Sequence, residues 1–263
     1  MSESPADAPK PATAAEIETS APPLVPAHHH LLTSLQSMLN LTVVALFFIT
    51  FSFQPFRIPS ASMEPTLLVG DFLLVDKQIT HDPPLLPPSS LHRGDVIVFH
   101  DPIDHTQHLV KRIIGVPGDR LRLRSGRVVL NGQTLDEPYA VYRGASHNQY
   151  RDNFPNAQTP DSDVDANWWI RLRTLVNHGD LVVPPDSFFV LGDNRNDSLD
   201  SRFWGFVPRS AVVGRPFLIY LSLRIRDNDP SSEASPTFAP VQPRTTPGLL
   251  NFARWNRTLT VVH

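Results

Sequence analysis

The stretch Leu109-Val110-Lys111-Arg112-Ile113-Ile114-Gly115-Val116-Pro117-Gly118-Asp119 is an aliphatic, β-branched run closed by a Pro-Gly-Asp turn, the pattern of a strand entering a hairpin. On a strand, Leu109, Lys111 and Ile113 point one way and Val110, Arg112 and Ile114 the other, so one of two adjacent cations shares the inner face with aliphatic residues. Parity leaves open which one, and a solvated edge position is the plain structural alternative. The same grammar repeats outward. Phe72-Leu73-Leu74-Val75, Asp95 to Phe99, Arg127 to Leu130, Ser187 to Leu191 and Ala211 to Leu221 are short apolar runs, punctuated by Val69-Gly70-Asp71, Arg93-Gly94-Asp95 and Asn131-Gly132. Asn131-Gly132 is the sharpest hairpin signal. No helical period is sustained after residue 57, and the prediction is a mostly β, antiparallel domain.

Upstream the character changes. From Thr19 to Phe56 there is no Asp, Glu, Lys or Arg, and Leu39 to Phe53 (LNLTVVALFFITFSF) is apolar enough to complete, from about Leu32, a helix that crosses a bilayer. A buried core helix would show a polar face across Val43 to Phe51, and a cleavable leader would not follow a long acidic region carrying only Lys10. The expectation is therefore a single N-terminal transmembrane anchor over residues 31–54, after a Pro- and Ala-rich disordered tail over 1–30. Residues 55–225 form the β domain, with the polar stretch 139–186 inserted as a cap or a disordered loop. Residues 226–263 begin as a Pro-, Ser- and Thr-rich linker. They end in a segment, Leu249 to Val262, suited either to a membrane surface or to docking on the core.

Composition narrows the chemistry. A net charge of -3 provides no field for nucleic acid. The absence of cysteine removes disulfides, thiol nucleophiles and thiolate-bound zinc, so a nucleophile has to be a hydroxyl, an amine or a carboxylate. His100, Asp101, Asp104, His105 and His108 crowd one hairpin with metal-ligand residue types, but in no recognised metal spacing, and read as a polar hairpin tip.

Three clusters remain. Pro59-Ser60-Ala61-Ser62-Met63-Glu64-Pro65-Thr66 places small hydroxyl residues directly after the apolar run, where a membrane-bound substrate would arrive. In the second, Lys111 becomes a base if it is the inward cation, because burial disfavours its charged form; Arg112 cannot, since guanidinium stays protonated. The third, Gly192 to Gly205, carries Asp193, Arg195, Ser198, Asp200 and Arg202. It reads either as a polar ion-paired loop or as support for a site, with a hydroxyl such as Ser198 able to orient a neutral lysine.

In this order, behind an apolar anchor, the three clusters resemble the boxes of bacterial type I signal peptidases, over roughly residues 53–138 and 183–222; Arg254-Trp255-Asn256-Arg257 is similar to the family's C-terminal end. The resemblance implies a serine endopeptidase with Ser62 as nucleophile and Lys111 as general base. It also implies Ser60 and the Ser62 N–H as the oxyanion hole, Ser198 as the lysine-orienting hydroxyl, and Asp193, Arg195, Asp200 and Arg202 as supports. It further implies no cofactor and no metal, signal peptides of exported preproteins as partners, and a single-pass protein of the bacterial cytoplasmic membrane with its catalytic domain on the extracytoplasmic side. Departures from the family pattern are Asn196-Asp197 in place of the commoner reverse order, Ala61 in place of a glycine, and few cations before the anchor.

Overall fold

The computed structural model describes residues 27–77, 90–144, 147–155, 158, 160–224 and 252–262, with backbone alone at 27–32, 45 and 47–52. The tail expected over 1–30 and the linker expected over 226–248 fall wholly or almost wholly outside these residues.

The apolar N-terminal run is helical as α1 (Ala27–Ser52), about 39 Å long at 1.5 Å per residue. Its described side chains, among them Leu35, Leu39, Leu41 and Val44, are exposed. Among the described residues no helix is long and apolar enough to cross a membrane.

From residue 53 the chain is mostly antiparallel β, as the turn punctuation predicts. One sheet contains β1 (Phe53–Arg57), β2 (Asp71–Asp76), β3 (Val96–His100), β4 (His108–Gly115), β10 (Ser187–Leu191), β11 (Val207–Pro208) and β12 (Val212–Ser222). Their order is β1-β2-β12-β3-β4-β10-β11, and β13 (Thr260–Val261) pairs with β12. The second sheet has β5 (Arg120–Arg124), β6 (Arg127–Leu130), β7 (Gln133–Thr134), β8 (Val176–Asn177) and β9 (Asp180–Val182), in the order β7-β6-β5-β9-β8. The Asn131-Gly132 turn joins β6 to β7 with both residues at positive φ, 51° and 86°, as a tight hairpin requires.

Period-2 alternation along β3 divides the apolar interior. Ile97 and Phe99 enter a large cluster with Ile113, Leu121, Val128, Phe154 and Phe189, while Val96 and Val98 enter a second with Ile58, Met63, Leu67, Leu73 and Ile219. Strand β4 is hydrogen-bonded along both edges, to β3 and β10, and from Lys111 to Gly115 every residue on either face is buried. The solvated edge position, the plain alternative for these cations, is not what is found: Lys111 and Arg112 are each only 4% exposed. Lys111 lies opposite Ile97 and Arg112 opposite Val96, so the two project to opposite faces.

The absence of helix after residue 57 is also corrected. Residues 139–186 supply α2 (Gln149–Asp152), α3 (Ala166–Leu175) and the strands β8 and β9, and α4 (Ser201–Trp204) follows. Helix α3 starts at Asp165, whose carboxylate accepts the Trp168 N–H at 2.8 Å, and it buries only Trp168 and Leu172, four residues apart. So narrow an apolar stripe gives no sustained period in the sequence. At the C-terminal end, Arg254 donates to the Ser222 hydroxyl (2.8 Å) and Arg257 to the buried Asp71 carboxylate (2.7 Å), holding residues 252–262 to β2 and β12.

Candidate active site

After β1 the chain turns through a 3₁₀ segment, Ala61–Met63, closed by the Glu64 N–H donating to the Ala61 carbonyl (3.0 Å). Met63 and Leu67 insert into the second apolar cluster and fix this turn, leaving Ser62 only 8% exposed. The first amide groups of such a turn have no partner within it, so the Ser62 N–H is a donor that the turn does not consume.

Lys111 Nζ is 2.7 Å from Ser62 Oγ, a contact between side chains 49 residues apart in the chain. Ser60 Oγ lies 3.3 Å from the same oxygen. Burial disfavours the charged amine and outweighs the opposing pull of Asp200 and Asp193, while Arg202 adds to the depression; the Lys111 pKa falls to about 8. An amine that gives up its proton this readily, hydrogen-bonded to a hydroxyl, is a base placed to activate a nucleophile.

The loop after β10 closes over this pair. A side chain at Gly192 would collide with the Ser62 carbonyl and the Ser198 hydroxyl, so only glycine permits the approach. Ser198 donates to Asp200 (2.8 Å). Among the described residues it makes no hydrogen bond to Lys111, although the two line one depression. Asp200, fully buried, also accepts from Arg202 through both oxygens (2.8 and 2.7 Å) and from the Gly192 N–H (3.1 Å). Burial pushes its pKa up, but the adjacent Arg202 guanidinium and these donors bring it below the ordinary carboxylate range. Asp193 receives a two-pronged contact from Arg112 (2.8 and 2.7 Å) and the Thr66 hydroxyl (2.5 Å). The eight expected site residues thus gather around one point, with Asp193 and Arg195 one layer further from the hydroxyl–amine pair.

Two depressions flank the pair. One, about 180 Å³, is lined by Phe56, Ile58, Pro59, Met63, His108 and Val110 beside Ser60, Ser62 and Lys111. The other, about 500 Å³, is mixed, with Asn148, Arg151, Asp161, Asp163, Asn196 and Asp197 alongside Leu109, Leu199 and Phe203 around the same three residues. An extended chain crossing Ser62 would meet a small apolar surface on one side and a larger one of mixed character on the other.

Sequence reasoning passed over Glu137 and Tyr139. Glu137 pairs with the buried Arg195 (2.9 and 2.5 Å), and the Tyr139 ring lies 4.1 Å under the Arg112 guanidinium. A buried arginine demands a counter-charge, but a partner 58 residues away leaves no local trace. On the His100 to His108 hairpin, the two end imidazoles stack at 4.5 Å and Asp104 caps its own turn. Among the described residues no group of three or more His, Cys, Asp or Glu is placed to hold a metal ion.

The family model described as signal peptidase, peptidase S26, matches residues 31–221. A protein of Leptolyngbya laminosa named signal peptidase I is 39% identical, over 66% of this chain and 71% of that protein. One from Aquifex aeolicus with the same name is 35% identical, over 76% of this chain and 88% of that protein. Another, from Buchnera aphidicola of Acyrthosiphon pisum, is 31% identical over 76% and 78% respectively.

Proposed function

Since the chain belongs to the peptidase S26 family of signal peptidases, we propose that it is a serine endopeptidase that removes N-terminal signal peptides from exported preproteins, with Ser62 as nucleophile and Lys111 as general base. The observation that carries this reading is the 2.7 Å contact between the Ser62 hydroxyl and a buried amine whose pKa is lowered to about 8.

Neutral Lys111 takes the Ser62 proton as Oγ attacks the scissile carbonyl. The oxyanion is received by the Ser62 N–H and the Ser60 hydroxyl. The protonated lysine delivers its proton to the leaving amine, and water then releases the acyl group. Ser198 and Asp200 hold the lysine's surroundings, and neither metal nor cofactor enters. The small apolar depression suits the small residues that precede a signal-peptide cut. Removing the Ser60 hydroxyl by Ser60→Ala is expected to lower kcat about 100- to 1,000-fold without abolishing turnover, as loss of one oxyanion donor does elsewhere. An unchanged kcat would take Ser60 out of the oxyanion hole.

The same reading takes the run over residues 31–54, which has no Asp, Glu, Lys or Arg, as the attachment to the bacterial cytoplasmic membrane, and puts the β domain on the extracytoplasmic side, where preproteins emerge. The exposed Phe252 and Trp255, edge to face at 5.5 Å, suit the lipid interface.

The test is cleavage of a preprotein by the full chain in detergent, with the cut site mapped and the rate followed against pH. The base acts unprotonated, so kcat/KM should rise about tenfold per pH unit below about pH 8 and flatten above it. Roughly a tenth of the enzyme is then active at pH 7. A profile flat from pH 6 to 9 would remove Lys111 from the proton transfer.

A further inference from the structure

We propose that the turn Glu137-Pro138-Tyr139 positions the nucleophile, with Glu137 as a positioning residue for Ser62; this rests on the assignment of Ser62 and Lys111 made above. The peptide carrying Ser62 is held from outside its own turn. The Asn194 N–H donates to the Ser62 carbonyl (3.1 Å), and the Asn194 side-chain amide reaches the Ala61 carbonyl (3.4 Å). Where Asn194 sits therefore helps to set where the Ser62 hydroxyl points relative to Lys111.

Asn194 is in turn fixed through both of its neighbours, and both are gripped from one short segment. The Val141 N–H donates to the Asp193 carbonyl and the Arg195 N–H to the Val141 carbonyl, each at 2.8 Å, forming an isolated parallel bridge on the side of Asn194 facing away from Ser62. The side chains repeat the grip. Glu137 binds Arg195 with both oxygens in an ion pair whose side chains are 6% and 1% exposed, and Arg195 Nε donates to the Gly192 carbonyl (3.1 Å). Tyr139 covers the guanidinium of Arg112, which clamps Asp193. The Tyr139 hydroxyl also donates to Glu137, at a long 3.3 Å, while the ring makes the contact with Arg112.

This linkage predicts a particular kinetic defect. Glu137 touches neither the hydroxyl nor the amine, so replacing it moves the reacting oxygen without changing the burial that governs Lys111. A displacement of about 1 Å costs on the order of 100-fold in rate.

The experiment compares the full chain with Glu137→Gln, Tyr139→Leu and Tyr139→Phe on a preprotein in detergent, each assayed well below its melting temperature. Expected for Glu137→Gln is a kcat lower by roughly 10- to 100-fold, with KM within about twofold and the acid limb still near pH 8. Tyr139→Leu should fall in the same way, while Tyr139→Phe, which keeps the ring over Arg112, should match wild type. If Glu137→Gln does not fold, the Leu and Phe pair decides. Wild-type kcat per folded molecule in Glu137→Gln or Tyr139→Leu would overturn the proposal and leave the pair with a purely structural role, and a raised KM at unchanged kcat would overturn it in favour of substrate binding. Failure of the wild type itself to cut, or a missing acid limb, would count against the Ser62–Lys111 assignment instead.

Discussion

Lys111→Met is expected to lower kcat/KM on a preprotein by about 1,000-fold or more while making the folded protein more stable at neutral pH. The loss follows from the role of the amine: no other neutral base is hydrogen-bonded to Ser62 among the described residues. The gain in stability follows from the same burial that makes the base. Folding lowers the Lys111 pKa from 10.5 to about 8, so the native state holds that proton less tightly than the unfolded chain. A cation depressed in this way destabilises the fold below about pH 8, and the penalty disappears as pH rises from 8 toward 10.5. Its ceiling is roughly 3 kcal/mol, from 1.36 kcal/mol per pKa unit. Methionine is unbranched, similar in length and apolar, and fits the slot without the penalty. Denaturant midpoints at pH 7 and pH 10 should therefore differ more for wild type than for the variant, the variant leading at pH 7. Lys111→Arg keeps a charge that cannot be shed and should be both inactive and no more stable. Substantial cleavage by either variant would defeat the assignment of the base.

Ser62→Ala carries the other large effect. The hydroxyl is the atom that forms the acyl bond, so its loss is expected to reduce cleavage by about 1,000-fold or more, any remaining rate coming from binding and the oxyanion donors alone. The change removes the hydrogen bonds of the hydroxyl to the lysine amine and to Ser60 and leaves the buried amine without that acceptor, so stability should fall by about 1–3 kcal/mol. The other residues lining the flanking depressions are unchanged, so the preprotein should still bind. A crosslinking assay should capture the uncut substrate on the variant. Cleavage above a hundredth of the wild-type rate would hand the nucleophile's role to another group, and Ser60, 3.3 Å away, would be the first to test.

Particular residues show where sequence reading reached and where it stopped. The strand runs around Val96 to Phe99 and Leu109 to Ile114 were legible because each is a local pattern bounded by turn residues. The five-residue strand β5, alternating arginine and leucine, carries the same period, yet it was passed over because its apolar positions are only Leu121 and Leu123. Helix α3 escaped for the same reason: two buried residues on one face make too short a repeat to register. At the site, Ser62 and Lys111 were identifiable only through family resemblance, since strand parity could not choose between Lys111 and Arg112. The fold answers by burying both, each among partners brought from distant sequence. Arg112 meets Asp193, and Lys111 meets a hydroxyl.

Residue order is enough for the mostly β character, the sharp turns, the charge-free apolar run at the N-terminal end and the residue types available for chemistry, because these depend on neighbours within a few positions. Folding alone settles that Lys111 is buried, how close its amine comes to Ser62, that Ser198 pairs with Asp200, and that Glu137 and Tyr139 grip the loop beside the nucleophile. A pKa and a hydrogen bond depend on distance and dielectric, and both are properties of chain segments folded together rather than of their order.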